Sequence, residues 1–483
     1  MVNLKKSTCL FCALGCGTAF RAKGGEITAI DYDRDNPVNL GALCPRGNYN
    51  FELLNHPRRL TVPMIGNRRT SWEEAIRFSQ QQLKEFDAAS IGIALSCNAS
   101  NEDAFLAAKL AEKLGTKNIA AAGNRFDLEA YQGVRYETAE AKISSLDDIQ
   151  KSDALLIVGD ILRRAPVLSW RVNQMKYGKR GSKAIVIDPN QCHTSWFATD
   201  HLKNRPGSEA MLLLCLIEVI ARANGEGELG IDVDAWAQII GLPSARIVKA
   251  AQDFHSAVAG TIIFSPSAFK ERNDLISYFI KVLASISPGK KYIIFYGYGN
   301  TLGVNTVIDR VITDHISYNG LREKIDNGQI KALITLGEEG LMVPPEFEKK
   351  VRLMKFSLTA SCFSDGAANE ADVFLPLATH MEDRGTYVMA DGRVQEIIPI
   401  APKVGGRTIA EIAVTLGEIP LDSAAAREIA ALGPSSIKVD LDEKIAEVGK
   451  IIPRAEAPME DVTHFGNNRL AKNFFWYRVN NRT

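Results

Sequence analysis

The sequence predicts an α/β fold in which a small cysteine-rich N-terminal domain precedes two similar α/β lobes. Three observations carry this prediction. Four of the eight cysteines, Cys9, Cys12, Cys16 and Cys44, fall in a loop-rich opening block. From Trp72 onward, short apolar runs alternate with stretches of helical period, the pattern of βαβ units. The chain also echoes itself: a strand, Gly159-Asp160 and Ala-Pro in 150–166 return as a strand, Gly337-Glu338 and Val-Pro in 329–344.

The cysteine block comes first. Three sulfurs sit in Cys9-x2-Cys12-x3-Cys16, and Cys44 follows after 27 intervening residues in Leu43-Cys44-Pro45-Arg46-Gly47. Thiolates bind soft metals, and this short x2/x3 spacing lets consecutive sulfurs converge on one 4Fe–4S cluster. Gly15 and Gly17 flank Cys16, allowing tight turns and backbone N–H groups near sulfur. Two other readings stand beside this one. Zinc would prefer two separated C-x2-C pairs, and a disulfide pair would call for a secretory context. Cys97, Cys192, Cys215 and Cys362 are scattered without ligand spacing and read as small core residues.

After Cys16, alternation to Asp31 around Gly24-Gly25 predicts short strands. Residues 1–58 form a small domain that needs a metal to hold it, and residues 56–63 read as an extended linker. Trp72–Phe86 is a helix and Ile91–Leu95 a strand, with residues 98–103 capping a helix over Ala104–Leu114. A βαβ unit follows: strand Ala154–Val158, helix Pro166–Tyr177, strand Ala184–Ile187. Asp188 stands where dinucleotide-binding folds place an acid on a ribose hydroxyl. The first turn lacks G-x-G-x-x-G, however, and Asp188-Pro189 reads equally as a turn. Thr261–Ser265 and Tyr292–Tyr296 are two further buried strands. Past residue 420 only Ala424–Leu432 has a clear helical pattern, and the aromatic and arginine-rich tail 467–478 reads as a segment that docks on the chain's own body or, the preferred reading, anchors a partner.

Composition excludes several classes. Lys+Arg and Asp+Glu are equal at 57 each, which gives no footprint for nucleic acid. No run of 18 apolar residues exists, so no direct membrane span is expected; Met211–Ala223 reads as a buried helix. Cys9 lies too near the start for a signal peptide to precede it. The expected location is the cytoplasm, with any membrane association made through a complex.

Taken together, these stretches resemble the molybdopterin oxidoreductase family over about residues 5–418. The family includes molybdenum or tungsten formate dehydrogenases and the large iron–sulfur subunit of respiratory complex I. The likeness is carried by the cysteine motif with Cys44-Pro-Arg-Gly, Ser100-Asn101-Glu102-Asp103, Val158-Gly159-Asp160…Pro166, Ile187-Asp188-Pro189…Arg205-Pro206-Gly207, and Ala371-Asp372…Glu382…Gly385-Thr386…Gln395.

The resemblance implies an N-terminal 4Fe–4S domain on two pseudo-symmetric, Rossmann-like α/β lobes, which in active members grip a Mo/W-bis(pterin dinucleotide). The implied division is 1–58, 59–145 plus 331–420, 146–330, and a C-terminal helix and tail over 421–483. It makes Cys9, Cys12, Cys16 and Cys44 the cluster ligands. Arg46 takes the place where many members carry a lysine between cluster and pterin. Gly159, Asp160, Asp188 and Arg205 would lie near one dinucleotide, and Gly337, Glu338, Gly385 and Thr386 near the other.

Three departures bear on activity. Catalytic members place a metal ligand shortly after the Asn-Glu-Asp helix, but residues 118–131 contain no Cys or His, and their one Asp, Asp127, reads chiefly as a helix N-terminal acid. About 65 residues follow residue 418, where the likeness ends, fewer than the C-terminal barrel of most members. The segment 303–331 is abbreviated. The expected function is an iron–sulfur electron-transfer subunit with a degenerate molybdopterin site, working in a hetero-oligomer with other iron–sulfur or flavin subunits. The alternatives are a catalytic Mo/W subunit of formate or formylmethanofuran dehydrogenase type, with the barrel on another chain, and a structural scaffold whose metal site only aids folding.

Overall fold

The computed structural model describes residues 3–23, 26–57, 59–266, 272–337, 351, 354–363 and 370–454. Strands Asn3–Thr8, Gly17–Lys23 and Glu26–Asp31 form a three-stranded antiparallel sheet in that order. The loop between the first two carries Cys9, Cys12 and Cys16, and the Cys9 N–H donates to the Cys16 carbonyl at 2.9 Å, closing it. The wholly buried Asn39 accepts from the Gly17 N–H at 2.9 Å and donates to the Gly17 and Ala42 carbonyls. That side chain ties the loop to the stretch leading into Cys44, which caps the short helix Pro45–Tyr49.

Two sheets build the rest. The larger runs Arg68–Arg69, Met64–Ile65, Val373–Pro376, Phe356–Ser361, Ala332–Leu336, Ile91–Ser96, Ile119–Ala122. The smaller runs Asp200–Leu202, Lys183–Ile187, Ala154–Val158, Gly260–Phe264, Lys290–Ile294 and is parallel throughout. Ala154–Val158, Gly260–Phe264, Ile91–Ser96 and Ala332–Leu336 are buried along their whole length. Parallel strands are covered by helices on both faces, which is why these runs are buried throughout and chiefly apolar. Each fully buried Val, Leu or Ile contributes about 1.5–3 kcal/mol.

Setting aside the antiparallel edge pair 64–69, the two sheets share one strand order. Ala332–Leu336 corresponds to Ala154–Val158, and Phe356–Ser361 to Lys183–Ile187. Val373–Pro376 corresponds to Asp200–Leu202, and the pair 91–96 and 119–122 to 260–264 and 290–294. The chain order is permuted, since the larger sheet receives two of these strands before the smaller one and three after it. The equivalence reaches single bonds. Gly159, at φ 96°, donates its N–H to the Ile187 carbonyl at 2.9 Å, and Gly337, at φ 101°, donates to the Ala360 carbonyl at 3.0 Å. Both φ values lie where glycine is favoured. The echo seen in the sequence thus falls on two strands at the same place in two sheets; its Val343-Pro344 end lies outside the described residues.

Several expectations shift at element ends. The helix expected from Ala104 begins at Asn101, because Ser100 and Asp103 close a reciprocal capping box. The helix expected over 166–177 is divided, a 3-10 turn Pro166–Leu168 passing into Ser169–Gly178. A helix not expected, Leu441–Gly449, follows Ala426–Ala431, while the tail 455–483 lies outside the described residues. The segment 303–331 carries two helices, Thr301–Val311 and Tyr318–Asp326. Among the described residues, no helix is long and apolar enough to cross a membrane.

The small domain sits where the two sheets meet. The Ala13 N–H donates to the Tyr296 carbonyl at 3.2 Å, just beyond the smaller sheet, while the Ala390 N–H donates to the Ala13 carbonyl at 2.9 Å. Ala390 follows the strand Gly385–Val388, which pairs with Val394–Ile397. Leu10, Tyr387, Met389 and Ile397 close an apolar cluster at this joint. Gly15, at φ 71°, is needed here, since a Cβ would lie 2.6 Å from the Met389 sulfur.

Candidate metal centre

Cys9, Cys12, Cys16 and Cys44 line a single cavity with Leu43, Arg46 and Pro166. The first three are buried and Cys44 is half-buried. Burial pushes the thiols of Cys9, Cys12 and Cys16 up, and neighbouring thiols push further in the same direction. Two backbone groups oppose this, the Phe11 N–H at Cys9 and the Leu14 N–H at Cys12. Four soft donors facing one another in an apolar chamber become thiolates when positive charge shares the chamber. Among the described residues, no three His, Cys, Asp or Glu side chains close around one ion. An iron–sulfur cluster is wider than an ion and takes one thiolate at each iron, so this donor set fits it.

Arg46 is 4% exposed. Its Nη1 donates to the Phe11 carbonyl at 3.2 Å and its Nη2 to the Arg164 carbonyl. Burial opposes its charge, but thiolate charge at Cys44 and Cys12 beside it outweighs burial and pushes the guanidinium up. Arg164 turns the other way. Its Nη2 donates to the Pro266 carbonyl and lies 3.8 Å from Asp127 Oδ1.

Asp127 is wholly buried in the first turn of the helix Arg125–Arg135, whose cap is Asn124. Its Oδ2 accepts the Gly297 N–H at 2.8 Å. Burial pushes its carboxyl up, while Arg164 and the Gly297 N–H pull it down. Gly297 has no room for a side chain, as a Cβ would lie 2.1 Å from Arg164 Nη1. The Asp127 carboxylate therefore joins the helix after one sheet to the end of the other, an employment different from the metal ligation considered from the sequence.

The strand-end residues of the smaller sheet are also engaged. Asp160 Oδ1 accepts from the Thr194 N–H at 3.0 Å and its hydroxyl at 2.6 Å. Asp188 Oδ1 accepts the Asn190 N–H at 2.9 Å, an Asx turn after the strand. Cys192 lies between them, half-buried rather than in the core as the sequence implied. Burial, with Asp188 and Asp160 adding, pushes its thiol up to about 12. Arg205 departs from expectation more clearly. Its Nη1 donates to the Gln238 and Ile239 carbonyls, so it caps the C-terminal end of the helix Val233–Ile240, where carbonyls lack partners.

In the larger sheet, Gly337 lines a cavity of about 80 Å³ with Ser96, Ser100, Cys362, Thr379 and His380. Pockets for organic ligands span about 300–1,000 Å³, so this space alone does not hold a pterin dinucleotide. Glu338 lies outside the described residues. The Thr386 N–H and hydroxyl both donate to Glu102, at 2.8 and 2.7 Å, and Asn101 donates to the same hydroxyl at 3.0 Å. Gly385 packs on Ser100, from whose Cβ an added methyl would lie 2.5 Å. Asn300 completes the net, donating to Asn101 Oδ1 at 3.0 Å and accepting from the Val388 N–H at 2.7 Å. Two motifs of the sequence are thus bound to each other. Glu382 is buried against Arg59 and accepts from Thr379 and Val404, pinning the linker to the same segment.

Arg164, Gly297, Asn300 and His380 were not singled out from the sequence. Gly297 and Asn300 lie in the glycine-rich stretch Gly297-Tyr298-Gly299-Asn300, a pattern that fits a plain turn as well as a close approach of backbone to a ligand. Nothing in the sequence marks the other two.

Comparison with known proteins agrees with this architecture. Residues 59–418 match the family model for molybdopterin oxidoreductase, and residues 3–56 match the molybdopterin oxidoreductase Fe4S4 domain. The chain is 26% identical to the F420-dependent formate dehydrogenase subunit alpha of Methanocaldococcus jannaschii, covering 82% of this chain and 67% of that one. It is also 26% identical to the NADPH-Fe(3+) oxidoreductase subunit alpha of Geobacter sulfurreducens, covering 90% and 58%. The chain thus spans about three fifths to two thirds of the length of these relatives. Among solved structures, acetylene hydratase from Pelobacter acetylenicus shares the fold with a TM-score of 0.66 at 16% identity, over 86% of this chain and 69% of that one. The chain belongs to the molybdopterin oxidoreductase family and carries that family's N-terminal 4Fe–4S domain.

Proposed function

We propose that this protein is an iron–sulfur electron-transfer subunit of a multi-subunit oxidoreductase, with a molybdopterin site that no longer performs chemistry. The observation that carries the proposal is the engagement of Asp127. In the stretch where catalytic relatives bring a ligand to the metal, the one aspartate, Asp127, is held by the Gly297 N–H at 2.8 Å and faces Arg164. The relatives named as alpha subunits support a place in an assembly.

A bound cluster supplies one-electron storage. The residues of the chain do the rest. Cys9, Cys12, Cys16 and Cys44 would hold it, and Leu10, Phe11 and Leu14 are buried around Cys9, Cys12 and Cys16 and keep water from those three side chains. The Phe11 and Leu14 N–H groups and the Arg46 guanidinium favour negative charge there. Cys44, half-buried, is the side on which a partner approaches. Gly159, Asp160, Asp188, Gly337, Gly385 and Thr386 then serve as remnants of dinucleotide sites, with Asp160 and Thr386 converted to internal acceptors and donors.

Metal and pterin content of anaerobically purified protein tests the proposal. About four Fe per chain without Mo, W or pterin is expected. Stoichiometric Mo or W with pterin would establish the catalytic alternative, and zinc in place of iron the scaffold.

A further inference from the structure

The chamber of the four cysteines is backed by a line of buried and half-buried charge that runs away from it. Arg46 is fixed to the backbone of Arg164, Arg164 reaches past Gly297 to the Pro266 carbonyl, and Asp127 stands 3.8 Å beyond with its Oδ1 otherwise without a hydrogen bond. The side chain of Arg164 is 17% exposed and that of Asp127 1%. Charges at such depth are weakly screened and act over longer distances than surface charges.

We infer that Arg164 and Asp127 are positioning residues that set the cluster's reduction potential in opposite senses. Arg164 raises it by adding positive charge behind Arg46, and Asp127 lowers it by compensating that charge. The inference rests on the electron-transfer reading above. Reduction adds one electron to the chamber, so a buried cation behind it favours the reduced state and a buried carboxylate disfavours it. Ala165 and Pro166, which directly follow Arg164 in the chain, line the cysteine chamber itself, so Arg164 stands at its wall. A purely structural role for the pair predicts no such sign. Arg164 could join the lobes through Pro266, and Asp127 through Gly297, with any charge.

The test is an EPR-monitored redox titration of the full chain carrying its cluster, with iron content and melting temperature measured alongside. Arg164→Gln is expected to lower the midpoint, and Asp127→Asn, which keeps an acceptor for the Gly297 N–H, to raise it. Each shift is expected to approach a tenfold change in the reduced-to-oxidised ratio, about 59 mV for one electron. Arg164→Lys keeps the charge and should remain near wild type. Shifts of the same sign in Arg164→Gln and Asp127→Asn, or unmoved midpoints at full iron content, would overturn the inference. If Arg164→Gln loses iron, Arg164→Lys and Asp127→Asn decide: an upward shift in Asp127→Asn alone sustains it, and no shift there ends it. Mo or W in the wild-type protein would instead overturn the electron-transfer reading, a result separate from these midpoints.

Discussion

The guanidinium of Arg46 donates to the backbone carbonyl of Arg164, so the cysteine-bearing domain and the smaller sheet share a partly buried charged hydrogen bond. With the Phe11 carbonyl as its second acceptor, Arg46 also fixes the loop between Cys9 and Cys12. Hydrogen bonds to charged groups are worth about 1.5–3 kcal/mol, more when their loss strands a buried partner.

Arg46→Gln should therefore lower unfolding free energy by about 2–4 kcal/mol. Arg46→Lys, whose single ammonium lacks the planar fork, should recover part of this. Urea unfolding with an unchanged slope checks it, and a midpoint equal to wild type for Arg46→Gln contradicts the assigned contacts.

Thr386 separates a cofactor-contacting role from a structural one. Its hydroxyl donates to Glu102 and accepts from Asn101, 284 and 285 positions away. Thr386→Val keeps the shape and removes both bonds, so it should cost about 1–3 kcal/mol. Iron content should not change. A stability equal to wild type would show that the hydroxyl is not part of the net.

How much of this was legible in the sequence depends on how local each feature is. The cysteine chamber rests on spacing within eight residues plus Cys44, and the capping chemistry of Ser100 and Asp103 lies within four, so both could be read directly. The α/β class followed from apolar runs of strand length. Arg205 could not be placed because its acceptors, Gln238 and Ile239, belong to a helix more than thirty positions on. Arg164 gave no signal, since its partners Arg46, Asp127 and Pro266 meet only when three parts of the chain pack together. Asp127 was correctly placed at a helix N-terminus, but its burial against Gly297 is a property of the tertiary fold.

Gly337 tests the correspondence between the two sheets. A Cβ there would lie 2.3 Å from the Cβ of Ser96, at a φ of 101° that side chains rarely adopt. Gly337→Ala should cost about 1–3 kcal/mol from backbone strain alone, and more from the overlap. Adding Ser96→Gly should relieve the overlap and leave the strain. Thermal melts of the single and double variants check this, and equal melting temperatures for the two would contradict it.

His380 supplies a pH dependence. Burial lowers its imidazole to about 4 from an ordinary 6.5, and its Nε2 has no hydrogen-bond partner. The unfolded chain binds this proton more readily, so the contribution is fully present above pH 6.5 and is lost as pH falls toward 4. His380→Leu should flatten the fall in melting temperature between pH 7 and pH 4 relative to wild type. An identical slope in the two proteins would show that His380 does not contribute.

If the four cysteines serve a single redox centre, a coulometric reductive titration of the isolated protein, followed by EPR, will show one electron taken up per chain, with a single reduced 4Fe–4S signal that Cys16→Ser abolishes or alters. Uptake of further electrons by a second centre, retained when the cluster is lost, would contradict it.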